Sequence, residues 1–555
     1  MKSIKDFNSI YYLGAFFCFL LALPLVSMGQ GEIKDAEFVI EKEKNVQLPV
    51  KNRIFRPVDQ VKFDRDIDID FSLPPINFDL PEFTPEIDVS YREVEPRDEY
   101  ASNHFLKASF GSLIAPYFLY NYQSQTFNPY GATFEHESYR NGPVRDDLSG
   151  VSQTGIQLWG KFNTGLSTAR ADMSYYRKSF YFYGLSDSLF NAENPLFFND
   201  RVHQNHFRTK LDYRGLSKDG RWNYQVDARF GLINQVAEES FNRENTVAIS
   251  GEAGYDVQSN LQLKLASSIL SANAESGATD SRRSFVEINP YLKWQKSNFD
   301  IKAGLLYIGI NNPEEKGGSY LTTDFKINYG LNNFNLYAGL DGDLQENTLA
   351  QISEKNFFLN DSLSLRSTLN TLRFYSGISG FLMQGLYYDV RASYSNYDNP
   401  YFFLNDSLEI SRFNLVYDNQ MQKVSLEGAL GLTLSRTTSI RLEASYFQYI
   451  TDRQEEAWHL PAFRSKIEGK QRFLDDFLFR VSLVNLSGIK SLSTENQEVI
   501  NISSILDLSF QLSYSINQQG NVFLAFENVL NRENALYLNY PVRPAMLSLG
   551  LSYRL

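Results

Sequence analysis

The sequence predicts an all-β protein: a large transmembrane antiparallel β-barrel of about 22 strands, within a range of 20–24, preceded by an extended N-terminal segment. Three observations lead there. The chain ends in a faultless alternation, in which Leu547, Leu549, Leu551, Tyr553 and Leu555 interleave with Ser548, Gly550, Ser552 and Arg554. Strand side chains point to opposite faces with period two, so one face is apolar and the other small or polar. In water that apolar face would be an aggregation-prone edge, whereas about 9–11 such residues let a tilted strand cross a bilayer. The composition agrees: 43 Phe and 34 Tyr make the chain 15% aromatic, yet only 43% is broadly hydrophobic. A polar lumen and aromatic rims produce that balance. Finally, no soluble-domain boundary interrupts the pattern beyond residue 100, although 555 residues would ordinarily imply several soluble domains.

The chain opens with Lys2 and Lys5, an apolar run from Tyr11 to Val26, and Ser27-Met28-Gly29. A basic start, an apolar middle and small residues at the end describe a secretory signal over 1–29, cut before Gln30. Its one cysteine, Cys18, lies inside that signal behind bulky Phe16 and Phe17. The mature chain is therefore expected to hold no disulfide and no thiolate metal site.

Residues 30–100 differ in composition. Between 31 and 100 lie seven of the 18 prolines and 18 acidic against 10 basic residues, a net −8 of the whole chain's −12. Proline removes backbone donors and resists central strands, so an extended periplasmic or lumenal segment is expected. It would either partly fill the lumen or dock a periplasmic partner protein through the stretch around Leu73-Pro74-Pro75. Filling requires a basic lumen wall, for which Arg229, Lys264, Lys293, Arg391 and Arg441 lie on the polar side of their strands. Asp66-Ile67-Asp68-Ile69-Asp70-Phe71 alternates acid with apolar residues, as an exposed strand does whose charges discourage aggregation. The acidic balance argues against nucleic acid as a partner.

The barrel is expected over 101–555. Trp222, Tyr224, Val226, Ala228, Phe230 and Leu232 alternate with Asn223, Gln225, Asp227, Arg229 and Gly231, and the pattern recurs over 424–434, 386–394 and 440–446. Tight turns such as Lys218-Asp219-Gly220 and Gln518-Gln519-Gly520 join neighbours. Longer connections fall at 125–150, 183–202, 344–369, 451–460, 487–499 and 531–544. Short turns at one end and long loops at the other describe an outer-membrane barrel. The strand tally carries a parity conflict. Long loops follow even-numbered strands early and odd-numbered strands late, so one strand is miscounted, with 344–422 the expected place.

Near the C-terminus a series of motifs adds a resemblance. Asp507-Leu508-Ser509-Phe510 and Tyr514 precede a short turn; Glu527-Asn528-Val529-Leu530-Asn531-Arg532 follows, then Tyr537, Tyr540-Pro541 and the terminal Leu-Gly-Leu-Ser-Tyr strand. This series resembles the closing strands of TonB-dependent receptor barrels. The resemblance implies a Gram-negative outer-membrane location, membrane lipid and the barrel-assembly machinery as partners, and an assembly signal on Leu547, Leu549, Leu551, Tyr553 and Leu555, with Leu555 in place of the usual final Phe. The family's folded plug has no counterpart of sufficient length in 31–100, and Glu37-Phe38-Val39-Ile40 looks only faintly like the segment that contacts TonB. Function is therefore expected as solute passage, or as the membrane component of an envelope complex.

Catalysis has few candidates. His203 and His206 are three apart, on opposite faces of a strand. Glu135-His136-Glu137 and Asp146-Asp147, placed in the 125–150 loop, could seat a cation or act as the acidic dyad of a surface hydrolase, the alternative function. Solvated loop charge is the simpler reading. No nucleophile elbow or phosphate loop is present, and no cofactor, metal or enzymatic activity is expected. Phe357-Phe358-Leu359-Asn360-Asp361-Ser362-Leu363 recurs as Phe402-Phe403-Leu404-Asn405-Asp406-Ser407-Leu408. Paired loop contacts to a ligand would explain it, but two rim-to-turn transitions explain it more simply. Trp159, Trp222, Trp294 and Trp458 are read as rim anchors on the same grounds.

Overall fold

A computed structural model describes residues 103–555 except 145–146, 185–200, 238–240, 277–278, 316, 332, 475 and 495. The signal reading and the acidic segment lie outside the described residues, as does Asp146.

Twenty-two strands form one sheet, each antiparallel to its neighbours. It closes where the first strand, His104–Gly111, pairs with the last, Met546–Arg554, in a register running from Phe105↔Arg554 to Gly111↔Ser548. Closure abolishes the edges that an open sheet would expose. An even strand number brings both barrel ends to one side, which the short turns mark as periplasmic. One of these turns, between Ser217 and Trp222, uses Gly220 at φ 71°, a left-handed conformation that costs glycine little.

The parity conflict resolves at the strand Tyr130–Tyr139, which lies inside the stretch read as a single long loop. Within 344–422, by contrast, two short strands, Tyr401–Asn405 and Phe413–Tyr417, pair only with each other, outside the barrel sheet. Every long connection then falls at the extracellular end: 140–150, 182–200, 346–367, 399–419, 452–462, 488–504 and 528–545.

Alternation sorts the faces. Leu547, Leu549, Leu551, Tyr553 and Leu555 are all exposed on the outer surface, whereas Ser548 and Gly550 are buried inside, Gly550 leaving room for the Phe523 ring. Val247, Ile249, Leu263, Leu265, Ile269, Leu426 and Leu430 continue the outer apolar belt. At the periplasmic rim outward aromatics gather, among them Phe162, Tyr213, Trp222, Phe299, Phe473 and Tyr514. A belt of this kind faces lipid, with the aromatics at the interface. Replacing Leu549, 60% exposed in mid-strand, by Asp is expected to lower folding stability in lipid vesicles by about 1–2 kcal/mol. Denaturant titration of vesicle-refolded protein reads the change; an unshifted midpoint would show that this face does not meet hydrocarbon.

Candidate functional site

The extracellular loops fold inward and pack a hydrophobic core across the barrel mouth. Phe180, Val202 and Ile233, pointing inward near the upper ends of their strands, meet Leu349, Ile352, Phe357, Phe358, Leu363, Phe413 and Tyr540 from the loops. Smaller clusters join this cap to other parts of the wall: Phe285, Ile308, Leu344 and Leu369; Phe402, Met421, Ala457 and Trp458; Leu486, Ile489, Ile505 and Leu536. Aromatic geometry fixes the centre, where Phe358 stacks on Tyr540 at 3.7 Å between centroids and Phe180 meets Phe357 edge-on at 4.7 Å.

Both copies of the seven-residue repeat belong to this cap, so the rim reading is overturned. Phe357, Phe358, Phe402 and Phe403 are buried, none at a lipid interface. The first copy docks on the hairpin that carries the second. Phe413 N–H donates to the Phe358 carbonyl at 2.8 Å, and Asn360 Nδ2 donates to Asp406 at 3.2 Å. The tryptophans divide. Trp222 and Trp294 face outward at the periplasmic rim as read. Trp159 points into the lumen beside Arg170, because its outward neighbours are Leu158 and Gly160, and Trp458 is buried in the cap.

Polar groups latch the cap to the wall. Within it the helix Leu349–Lys355 starts at Thr348, whose hydroxyl and Gln351 form a reciprocal capping box. Glu244, on the strand Phe241–Gln258, accepts from Leu349 N–H at 2.7 Å and from the Arg283 guanidinium. Arg283 also donates to the Glu346 and Asn347 carbonyls at 3.0 and 3.2 Å. Both charged side chains are fully buried. Asp418 accepts the backbone N–H groups of Asp452 and Arg453 at 3.0 and 2.8 Å, tying the 452–462 loop to the hairpin. The family-like series near 527–534 is a latch as well. Asn528, at φ 44°, donates to the Arg532 and Arg543 carbonyls at 3.2 and 3.1 Å, and Asn534 brackets the backbone of Leu506.

Beside the cap lies a chamber of about 150 Å³ lined by Lys355, Lys423, Arg464, Tyr401, Tyr449 and Tyr537 among others, with no carboxylate among the lining residues. His459 also borders it, donating from Nδ1 to the Phe403 carbonyl at 2.8 Å and accepting from Leu538 N–H at Nε2, 3.2 Å. Burial pushes its pKa down to about 4, against the smaller opposing effect of the Phe403 hydrogen bond. Sequence reasoning missed this site; its only visible trace was the aromatic repeat.

Of the acidic residues weighed for a hydrolase, those with described side chains fall differently from the reading. Glu135, His136 and Glu137 lie on a strand, not a loop, and alternation sends the two carboxylates into the lumen and the imidazole outward. Glu135 accepts from Tyr117 at 3.1 Å, Glu137 meets Arg543, and His136 bonds Thr154 at 2.8 Å. His203 and His206 fall on opposite faces as read. Among the described residues no three His, Cys, Asp or Glu side chains converge as a metal site.

Arg229, Lys264, Lys293, Arg391 and Arg441 all fall on lumen positions as read, beside the outward Phe230, Leu263, Leu292, Val390 and Ile440, but three of them are ion-paired. Lys264 pairs with Glu252 at 2.7 Å, Lys293 with Asp300 at 3.7 Å and Arg441 with Glu443 at 2.6 Å, while Arg391 lies over the Tyr375 ring.

A closed barrel with a lipid-facing belt, a polar interior and its large loops at one end defines an outer-membrane β-barrel protein of the Gram-negative envelope. No family model matches the sequence, and no curated protein matches it. Solved structures do. The FrpB iron transporter of Neisseria meningitidis (F3-3 variant) is similar at TM-score 0.67 and 9% identity over 81% of both chains. The ferric-catecholate import receptor Fiu of E. coli K12, in its closed form, is similar at 0.62 and 9% over 82% of both. The siderophore receptor PirA of Acinetobacter baumannii is similar at 0.62 and 10%, over 82% of this chain and 81% of that one. The fold is that of the TonB-dependent receptor barrels, as the C-terminal series implied.

Proposed function

We propose that this protein is an outer-membrane uptake receptor, not an enzyme, whose outer mouth is gated by its own loops and whose solute is a small anion or the anionic edge of a larger ligand. The chamber carries the reading. Three cations and several aromatic rings line it, and no carboxylate is among the lining residues. Its volume of about 150 Å³ suits a single aromatic ring. The neighbours support uptake: they are described as an iron transporter, a ferric-catecholate import receptor and a siderophore receptor. Membrane lipid around the belt and the assembly machinery at Leu547, Leu549, Leu551, Tyr553 and Leu555 complete the partners. Placement of Glu135, His136 and Glu137 on a strand, split between two faces, weighs against the hydrolase alternative.

Benzoate serves as the probe, a planar monoanion that fits the volume. Calorimetric titration is expected to detect binding to the wild-type barrel, weakened about tenfold by Lys423→Met, since a charge-assisted contact is worth about 1.5–3 kcal/mol. Equal binding by the variant, or none by the wild type, would remove the chamber as the solute site.

A further inference from the structure

The outer surface changes character on one side of the barrel, just above the lipid belt. On six consecutive strands, from Tyr130–Tyr139 to Phe241–Gln258, the register aligns one row: His136↔Thr154, Thr154↔Arg177, Arg177↔Asn205, Asn205↔Asn234 and Asn234↔Arg243. Each member faces outward, because it keeps the parity of an exposed apolar residue lower on its own strand: Phe134, Ile156, Tyr175, Leu211, Phe230 or Val247. A tilted strand crosses a bilayer in about 9–11 residues. Counted from Trp222 at the periplasmic rim, that span ends near Leu232, and Asn234 is the next outward position. The row is therefore level with the outer-leaflet headgroups. Its polar groups are ordered: the Tyr175 hydroxyl donates to Asn205 Oδ1 at 2.8 Å, Asn205 Nδ2 donates to Asn234 Oδ1 at 2.9 Å, and His136 Nδ1 lies 2.8 Å from the Thr154 hydroxyl. Arg177 and Arg243 stand exposed on either side of the asparagine pair, and Arg201, over the Tyr181 ring, lies farther out. Among the described outward positions above the belt on these six strands there is no carboxylate; along the row the first is Glu275, across the ladder from Arg243 on the next strand. Elsewhere on the wall the strands Leu386–Asp398, Gln420–Thr433 and Thr438–Thr451 offer Asn396, Asp398, Gln420, Gln422 and Gln448 at this level, with no cation.

We infer that this face of the barrel binds the phosphate-bearing headgroup of an outer-leaflet glycolipid. A guanidinium fork matches a phosphate bidentately, and a basic cluster at the membrane edge draws anionic headgroups to itself. The amides and hydroxyls between the arginines offer both donors and acceptors, which suits sugar hydroxyls. Arg177 and Arg243 are three strand spacings apart, about 14 Å around the wall, wide enough for phosphates at opposite ends of one disaccharide headgroup. Directly below the row, Met173, Phe230 and Val247 are exposed to the acyl region. A lipid meets the polar row and this apolar belt with one molecule, whereas a free phosphate or a soluble acidic protein would use the row alone. That double match makes the lipid the occupant.

Native mass spectrometry of the full chain in a neutral detergent, titrated with bis-phosphorylated lipid A, tests the inference. Arg177→Gln/Arg201→Gln/Arg243→Gln is expected to raise the lipid concentration for half occupancy at least about tenfold, since charge-assisted hydrogen bonds are the strong ones. Removing the phosphates from the lipid is expected to do the same to the wild-type chain without any substitution. Gln422→Ala/Gln448→Ala, at the same level elsewhere on the wall, is expected to leave half occupancy unchanged. Heat-modifiable electrophoretic migration confirms that each variant barrel is folded. Inorganic phosphate at concentrations matching the lipid is expected to displace none of it; full displacement would reduce the row to a free-anion site and overturn the lipid assignment. Equal occupancy of wild type and arginine variant, or of the phosphorylated and dephosphorylated lipid, would overturn the inference outright.

Discussion

Arg283→Leu is expected to open the cap while leaving the barrel folded. The substitution strands Glu244, a fully buried carboxylate, with the backbone N–H groups of Leu349 and Ala350 but no charge to hold it. It also frees the Glu346 and Asn347 carbonyls that Arg283 engages. Removing one partner of a buried pair costs about 3–5 kcal/mol, far more than an exposed pair is worth. Arg283 lies near the extracellular end of its strand, paired with Ala272 on one side and just beyond the start of the other ladder at Ser284↔Asn311, so the barrel sheet below it is untouched. The cost therefore falls on the helix Leu349–Lys355 and its loop, lowering the closed-to-open ratio by roughly 10²–10³-fold. Planar-bilayer recordings are expected to show openings that the wild type lacks, with faster tryptic cutting at Lys355 and Arg366. Glu244→Leu/Arg283→Leu should recover part of the closure, because two apolar residues leave no buried charge behind. A variant as silent and as protease-resistant as wild type would show that the latch does not hold the cap.

How legible this was follows from which contacts are local. The lipid face could be read directly, because each strand repeats the same period-two rule and lipid imposes it on every outward position. The terminal strand shows it without a fault, and the structure places all five of its apolar residues outside. Tyr130–Tyr139 escaped because its outward residues include Ala132, His136 and Ser138, which blur the alternation near the mouth. Lumen charge was legible as polarity but not as pairing. Lys264 and Glu252 are both plainly on inward positions, yet only the register of their strands shows that they meet. The cap was the least visible part. Its core joins Phe180 to Phe358 and Tyr540 across hundreds of residues, and its loops have no periodicity to declare a buried face. The repeated Phe-Phe-Leu-Asn-Asp-Ser-Leu was a true signal of it, misassigned because aromatics beside a turn look alike at a lipid rim and in a loop core.

Acidification is expected to loosen the same cap through His459. This imidazole ties three loops together: its own backbone N–H donates to the Lys490 carbonyl at 2.8 Å, Nδ1–H donates to Phe403, and Nε2 accepts from Leu538. The neutral tautomer satisfies both ring nitrogens, whereas a proton on Nε2 would face the Leu538 N–H donor. Its surroundings offer a positive charge no compensation. The rings of Phe413 and Tyr537 pack against it, and the charged residues lining the adjoining chamber are Lys355, Lys423 and Arg464. Burial accordingly holds the pKa at about 4 in the closed cap, while an opened cap restores the ordinary value of 6.5. A depressed histidine pKa means that the open state binds more protons between these limits. Closure is therefore fully stable above pH 6.5, weakens as the pH falls toward 4, and changes no further through this group below that. The total loss is on the order of 3 kcal/mol, or about tenfold in the closed-to-open ratio per pH unit within the window. His459→Asn, which can keep the donor to Phe403 but cannot titrate, is expected to give a weaker cap whose opening no longer varies between pH 6.5 and 5. Single-channel open probability measured across that range decides the matter, because a wild-type profile as flat as that of the variant would assign any acid sensitivity to other groups.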